Sequence, residues 1–342
     1  MSAQRYWRHI SILSLILLGL GAGCSRDIPP RTSFYFWRTE LNLSHLEVQT
    51  LERNQAKLYC RYFDIRLSPE GKAIPGNPVG LSDSMSIASS LDIIPVVFIK
   101  NEVMLAEQTE PKALAEQTLR LIKQMSSRLA SPPTEIQIDC DWSMKSKATF
   151  MAYMAAVREQ WQGTISCTIR LHQVKYFEKT GIPPVDYGVL MYYNMGEINA
   201  SEANSIYDKQ IADLYSSTLT NYPLPLKVAF PIFGWGVHIR NNKVLELFAR
   251  MDLSPLLAQG KLVKIRENRF QVSKSFLYGD RYFKLGDEVK WENIGREDLY
   301  EMAADVSAHS PSPIDEIIFY DLDDFNLNQY EETIFEEVAR TF

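Results

Sequence analysis

The feature that most constrains this chain is an alternation. Eight short runs rich in β-branched and aromatic residues recur from Ser33 onward, each followed by a polar or aromatic cluster and then a helical or loop segment. They cover residues 33–37, 56–62, 93–99, 135–141, 164–170, 187–193, 226–233 and 314–320. Amphipathic stretches lie between several of them, most clearly at 111–129, 147–161 and 205–215. Strands that alternate with helices pair in parallel, because each crossover returns the chain to the same end of the sheet. Eight such units in roughly 300 residues match the arithmetic of a (β/α)8 TIM barrel, so the expected class is α/β.

Two segments depart from the alternation. Residues 67–91 are rich in turn formers and read as a long excursion after the second strand. Residues 237–291 carry alternating apolar runs and two Gly-Asp pairs, Gly279-Asp280 and Gly286-Asp287, which suit hairpin turns. They read as a small β-rich insertion between the seventh and eighth strands, with a helix over 295–306 leading back to the barrel.

The N-terminus reads as an address. Arg5 and Arg8 precede an apolar run over residues 10–20, too short for the about twenty residues that a membrane span needs. It ends in Gly21-Ala22-Gly23-Cys24, which resembles the lipobox of bacterial lipoproteins. That resemblance implies a leader over 1–23, a lipid on Cys24 as the membrane contact, a tether over 24–32 and a barrel over 33–342. Ser25 after the cysteine is similar to the pattern sorted to the outer membrane. Loss of the leader removes Arg5 and Arg8 and takes the formal charge from −6 to −8, against any wrapping of nucleic acid. Cys60, Cys140 and Cys167 are odd in number and lie in apolar runs, so they read as buried thiols. No cysteine or histidine spacing suggests a metal, no phosphate loop or dinucleotide fingerprint occurs, and no cofactor is expected.

In a barrel of this kind ligands meet the C-terminal ends of the strands. Those ends carry Trp37-Arg38, Asp139 and Asp141-Trp142, His172-Gln173, Tyr192-Tyr193-Asn194, Trp235, and Tyr320-Asp321 with Asp323. Aromatic rings beside carboxylates and amides suit sugars, whose apolar faces stack while their hydroxyls take hydrogen bonds. By strand parity Asp139 and Asp141 share a face, opposite Ile138, Cys140 and Trp142. Two carboxylates aimed into a barrel need partners such as Tyr192, Arg170 or Lys100.

The run Ile136–Ser143 resembles the fourth-strand signature D-G-x-D-x-D-x-E of family 18 glycoside hydrolases, the chitinase-like barrels. Met191-Tyr192-Tyr193-Asn194 is similar to their M-x-Y-D motif, and Phe230-Pro231-Ile232-Phe233-Gly234 to their P-x-Y-G run. The resemblance implies a glycan groove centred on Asp139 and Asp141. Ile136, Ser143 and Asn194 stand where that family has Asp, its catalytic Glu and Asp, and a serine hydroxyl is no general acid at neutral pH. Two readings follow: a hydrolase or transglycosylase acting on an envelope or extracellular glycan, or a non-catalytic barrel that binds a glycan or a partner protein there.

Overall fold

The computed structural model describes residues 28–81 and 91–342. The expected leader, Cys24 and the tether as far as residue 27 lie outside the described residues. Eight parallel strands form a closed ring: β1 (Arg31–Phe36), β2 (Leu58–Leu67), β3 (Ile93–Ile99), β4 (Glu135–Asp139), β5 (Thr164–Arg170), β6 (Tyr187–Met191), β7 (Leu226–Pro231) and β8 (Glu316–Tyr320). Each pairs with its sequence neighbours, and β1 closes the ring by pairing with both β8 and β2. The fold is therefore the expected (β/α)8 barrel. β1 starts two residues before the predicted run, because Arg31 already pairs with Glu316. β2 runs on to Leu67, since Ala73–Gly76 in the excursion folds back against it as an antiparallel strand.

The outward residues of the strands pack under a layer of helices that includes α1 (His45–Arg53), α2 (Pro111–Ser126), α3 (Lys147–Gln160), α4 (Lys209–Ser216), α5 (Arg296–His309) and α6 (Ile334–Ala339). α2 shows why: Leu114, Ala115, Thr118, Leu119 and Ile122 are buried at helical spacing, and Pro111 sits in its first turn, where no N–H is needed. α4 begins later than the pattern from residue 205 suggests, because the Asp208 carboxylate caps the Ile211 N–H. No helix among the described residues is long and apolar enough to cross a membrane.

The insertion is a five-stranded antiparallel sheet of Lys243–Ala249, Trp235–Arg240, Glu288–Glu292, Arg269–Val272 and Leu262–Arg266, in that order. A hairpin, Phe276–Tyr278 with Arg281–Phe283, turns at Gly279 in the left-handed region (φ 61°). Gly286-Asp287 also lies at a turn, closed by the Asp287 N–H on the Lys284 carbonyl, but not at a hairpin, for the segments it joins pair with different strands. The insertion has its own small core around Val272, Phe283 and Val289.

Inside the ring, the end where the strands begin is polar. Glu316 accepts from Ser33 Oγ at 2.5 Å, Tyr59 OH at 3.2 Å and Lys227 Nζ at 2.5 Å. Glu135 accepts from Lys57 Nζ at 3.3 Å and from the Tyr187 hydroxyl. Burial alone would raise the Glu316 carboxyl, but Lys227 and Lys57 outweigh it and hold it below the ordinary value of 4.5. A depressed folded value adds stability above that pH, which is lost as the pH falls. Glu316→Gln, leaving two partly buried ammonium groups short of a counter-charge, is expected to cost about 3 kcal/mol in denaturant unfolding near neutral pH. The gap to wild type should narrow below pH 4.5.

Candidate active site

β4 carries its inward residues at alternate positions, Glu135, Gln137 and then Asp139 at the C-terminal end. Asp139 is 6% exposed and accepts from Thr168 Oγ1 on β5 at 2.7 Å. Burial raises its carboxyl to about 6; the Thr168 bond and Arg170 pull it down, and Asp141 and Asp64 push it up. Such a value suits a group that exchanges a proton near neutral pH. Asp141, two residues on, is exposed and held by Arg170, with Nε 2.5 Å from Oδ1 and Nη2 3.0 Å from Oδ2. This two-point pair places Arg170 over the carboxylates that strand parity predicted to be neighbours. Exposed His172 stands beside them, its imidazole held below the ordinary value by partial burial and Arg170, against Asp141.

Aromatic rings line the rest of the mouth without a break. Trp37 lies 6.4 Å from Phe98 and 5.6 Å from Tyr320, ring centre to ring centre. Tyr320 stacks on Tyr193 at 5.6 Å and meets Phe233 at 5.7 Å, and Phe233 lies 5.2 Å from Trp235. Trp37, Tyr193, Trp235 and Tyr320, assigned to the rim from sequence, are thus brought together. Phe233, at the end of the predicted seventh strand, joins them, and so does Phe98, which sequence reasoning misses; it holds the last inward position of its predicted run, the signal that could have found it. Trp235 is fixed by its indole N–H, which donates to Glu292 Oε2 at 2.8 Å.

The barrel's far side adds a second charged group. Asp321 accepts from Asn326 Nδ2 at 2.6 Å, and Asp323 caps the Phe325 N–H at 2.9 Å. Arg250, from the insertion, lies 3.2 Å from each of the two carboxylates. Nothing in its own run marked Arg250 as a mouth residue, because the insertion alone brings it there. Arg38 lies over the Phe36 ring at 4.5 Å and donates to Glu47 at 2.7 Å. Asn194 is exposed just after β6, in the left-handed region (φ 54°) that asparagine tolerates.

Three rim assignments need correcting. Trp142 is 1% exposed and turns to the outer layer, where it stacks on Phe150 of α3 at 4.6 Å and donates to the Thr180 carbonyl. Tyr192 is buried on the outer face of β6, and its hydroxyl donates to Asp305 of α5. It is therefore no partner for Asp139 or Asp141. Gln173 is fully buried and ties the strand ends together, accepting from the Arg170 N–H at 2.8 Å and donating to the Trp142 carbonyl at 3.0 Å. Residue type suggests a rim place for Trp142 and Tyr192 although alternation turns them outward, and Gln173 falls there by its place just after a strand end. Cys60, Cys140 and Cys167 are buried and free. Among the described residues no group of His, Cys, Asp and Glu is arranged to hold a metal ion.

This architecture recurs in solved structures. The chain superposes on the spore cortex-lytic enzyme SleL of Bacillus cereus with a TM-score of 0.57 at 11% identity, over 92% of this chain and 75% of that one. A chitinase from Bacteroides thetaiotaomicron gives 0.56 at 11% identity, over 92% and 96% of the two chains. The fold is that of the chitinase-like barrels. A chitinase from Chromobacterium violaceum agrees, with 0.54 at 9% identity over 92% and 99%. No family model and no curated protein matches the chain. At such identity the likeness is one of fold, and the chemistry of this chitinase-like barrel rests on its own residues. Ser143, which the motif resemblance sets opposite the catalytic Glu of family 18, has its hydroxyl 3.2 Å from that of Ser146, which in turn donates to Asn101 at 2.6 Å.

Asp139→Asn keeps an acceptor for Thr168 and removes the buried charge. Because the folded value lies above the unfolded one, wild type loses stability as the pH rises from 3.8 through about 6. The variant is expected to match wild type near pH 4 and to exceed it at about pH 8 by on the order of 3 kcal/mol, read by denaturant unfolding at both pH values.

Proposed function

We propose that this protein is lipid-anchored through Cys24 at the bacterial cell envelope, on the outer membrane, and that its chitinase-like barrel binds an envelope or extracellular glycan in its mouth. The observation that carries the reading is the unbroken line of rings from Phe98 through Trp37, Tyr320 and Phe233 to Trp235, set beside guanidinium–carboxylate pairs. Ring faces take the apolar faces of pyranoses, and the charged groups take their hydroxyls. The chitinases and cortex-lytic enzyme that share the fold are consistent with such a ligand.

Binding is favoured over turnover because the carboxylates are committed. Asp141 is held at two points by Arg170, and Asp321 by Arg250 and Asn326. One observation favours the alternative of hydrolysis: burial leaves Asp139 with a carboxyl at about 6, a value at which it could protonate a leaving oxygen.

The two readings separate by experiment. Oligosaccharides from peptidoglycan, chitin and extracellular polysaccharides are titrated against tryptophan fluorescence. At least one is expected to bind, with Trp37→Ala and Trp235→Ala each weakening it roughly tenfold or more. Absence of binding across the panel refutes the glycan reading. Release of reducing ends that Asp139→Asn abolishes would establish the hydrolase; none from any polysaccharide that binds establishes the binding protein. For the anchor, Cys24→Ser is expected to move the protein out of the membrane fraction, and an unchanged membrane fraction would refute lipidation.

A further inference from the structure

An open cleft of about 480 Å³ lies at the β1 side of the mouth, lined by Trp37, Arg38, Thr39, Glu40, Asn42 and Arg250. Its two guanidinium groups come from unrelated parts of the chain. Arg38 follows β1 directly, whereas Arg250 arrives from the insertion on a residue in the left-handed region (φ 54°), a conformation that costs a non-glycine residue energy.

The acids that hold these arginines lie behind them. The side chains of Arg38 and Arg250 are 29% and 43% exposed, against 0% for Glu47, 10% for Asp321 and 12% for Asp323. Glu47 and the Asn42 carbonyl take Arg38 Nη2, and Asp321 and Asp323 engage Nη2 and Nε of Arg250. Nη1 of Arg250 meets no acceptor among the described residues. Arg38 Nη1 lies 3.9 Å from Asp323 and its Nε is buried, so the wall offers solvent the uncommitted Nη1 of Arg250 and the partly exposed Arg38 beside an indole, with Glu40 the one carboxylate among the lining residues. Guanidinium edges fixed from behind match the planar geometry of a carboxylate and lose little freedom on binding it.

We propose that this cleft is a subsite for a carboxylate-bearing sugar unit, whose ring stacks on Trp37 while its carboxylate meets Arg250 and Arg38. The inference rests on the glycan reading above and narrows it to acidic glycans. Neutral sugars would use the indole and leave the guanidinium edges to water.

The test uses one glycan in two charge states. Short strands of alternating N-acetylglucosamine and N-acetylmuramic acid, freed of peptide, are titrated as the free acid and as the methyl ester, which differ only in the carboxylate. The free acid is expected to bind about tenfold more tightly. That preference should shrink as salt is raised and collapse toward unity in Arg250→Gln. Because Arg250→Gln also strips a counter-charge from Asp321 and Asp323, Arg250→Lys serves as a second variant and should keep part of the preference. The salt series on wild type stands whether or not either variant folds. Equal affinity for acid and ester, or a preference that salt leaves untouched, overturns the acidic subsite and leaves the glycan reading standing. Failure of both forms to bind, together with every glycan of the wider panel, overturns both.

Discussion

Everything at the mouth depends on a set of ion pairs at the opposite end of the ring. Glu135 and Glu316 are buried among the first inward residues of β4 and β8, where an uncompensated carboxylate would be intolerable. Lys57, Lys227, Ser33, Tyr59 and Tyr187 meet them from other strands or their approaches, so the network spans six of the eight strands. A one-residue slip of any of these strands would turn its contributor outward into the helix layer and strand a charge. The network thereby fixes parity, and parity decides which residues reach the mouth two and four positions further on.

Following the inward positions along the axis shows compensation thinning out. Tyr35 donates to Gln137 at 2.6 Å, and Gln137 donates to Ser166 at 3.2 Å, so these middle positions are neutral and satisfied, while Arg61 at the same level is paired with Asp64. One step on, Asp139 has a single hydroxyl donor and a guanidinium already committed to Asp141. The same carboxylate chemistry therefore gives Glu316, between two ammonium groups, a lowered value and Asp139, short of partners, a raised one. The base spends its polar groups on holding the ring shut. The mouth keeps one acid poised to exchange a proton.

Much of the barrel was legible in the sequence, because parallel strands buried on both faces leave short continuous apolar runs that turn-rich segments set apart. β3 and β5 run over the residues their runs outline. The ends were harder to read. At Tyr192 and Trp142, one and three positions beyond their strands, the residue type suggested a rim, whereas continued alternation had already turned both outward. Gln173 escaped for a different reason: one of its bonds caps the short helix that opens at Arg170, three residues back, and the other reaches the Trp142 carbonyl beyond the neighbouring strand, a tertiary contact that periodicity does not encode. Arg250 and Glu292 were illegible because they belong to a separate sheet, whose docking on the barrel no periodicity encodes. The Asp139–Asp141 pair was the opposite case, since period-two geometry alone places both acids on one side.

The bond from the Trp235 indole to Glu292 has one further consequence. Glu292 also accepts from the Ser205 N–H at 3.2 Å and lies 2.5 Å from Lys290, while Arg269 and Lys290 reach the Ala200 and Ala203 carbonyls. The insertion is thus bolted to the loop after β6 by buried polar contacts rather than hung on a hinge. Under the proposed function, a glycan would meet a wall already in shape, and little of its binding energy would be diverted into ordering that wall.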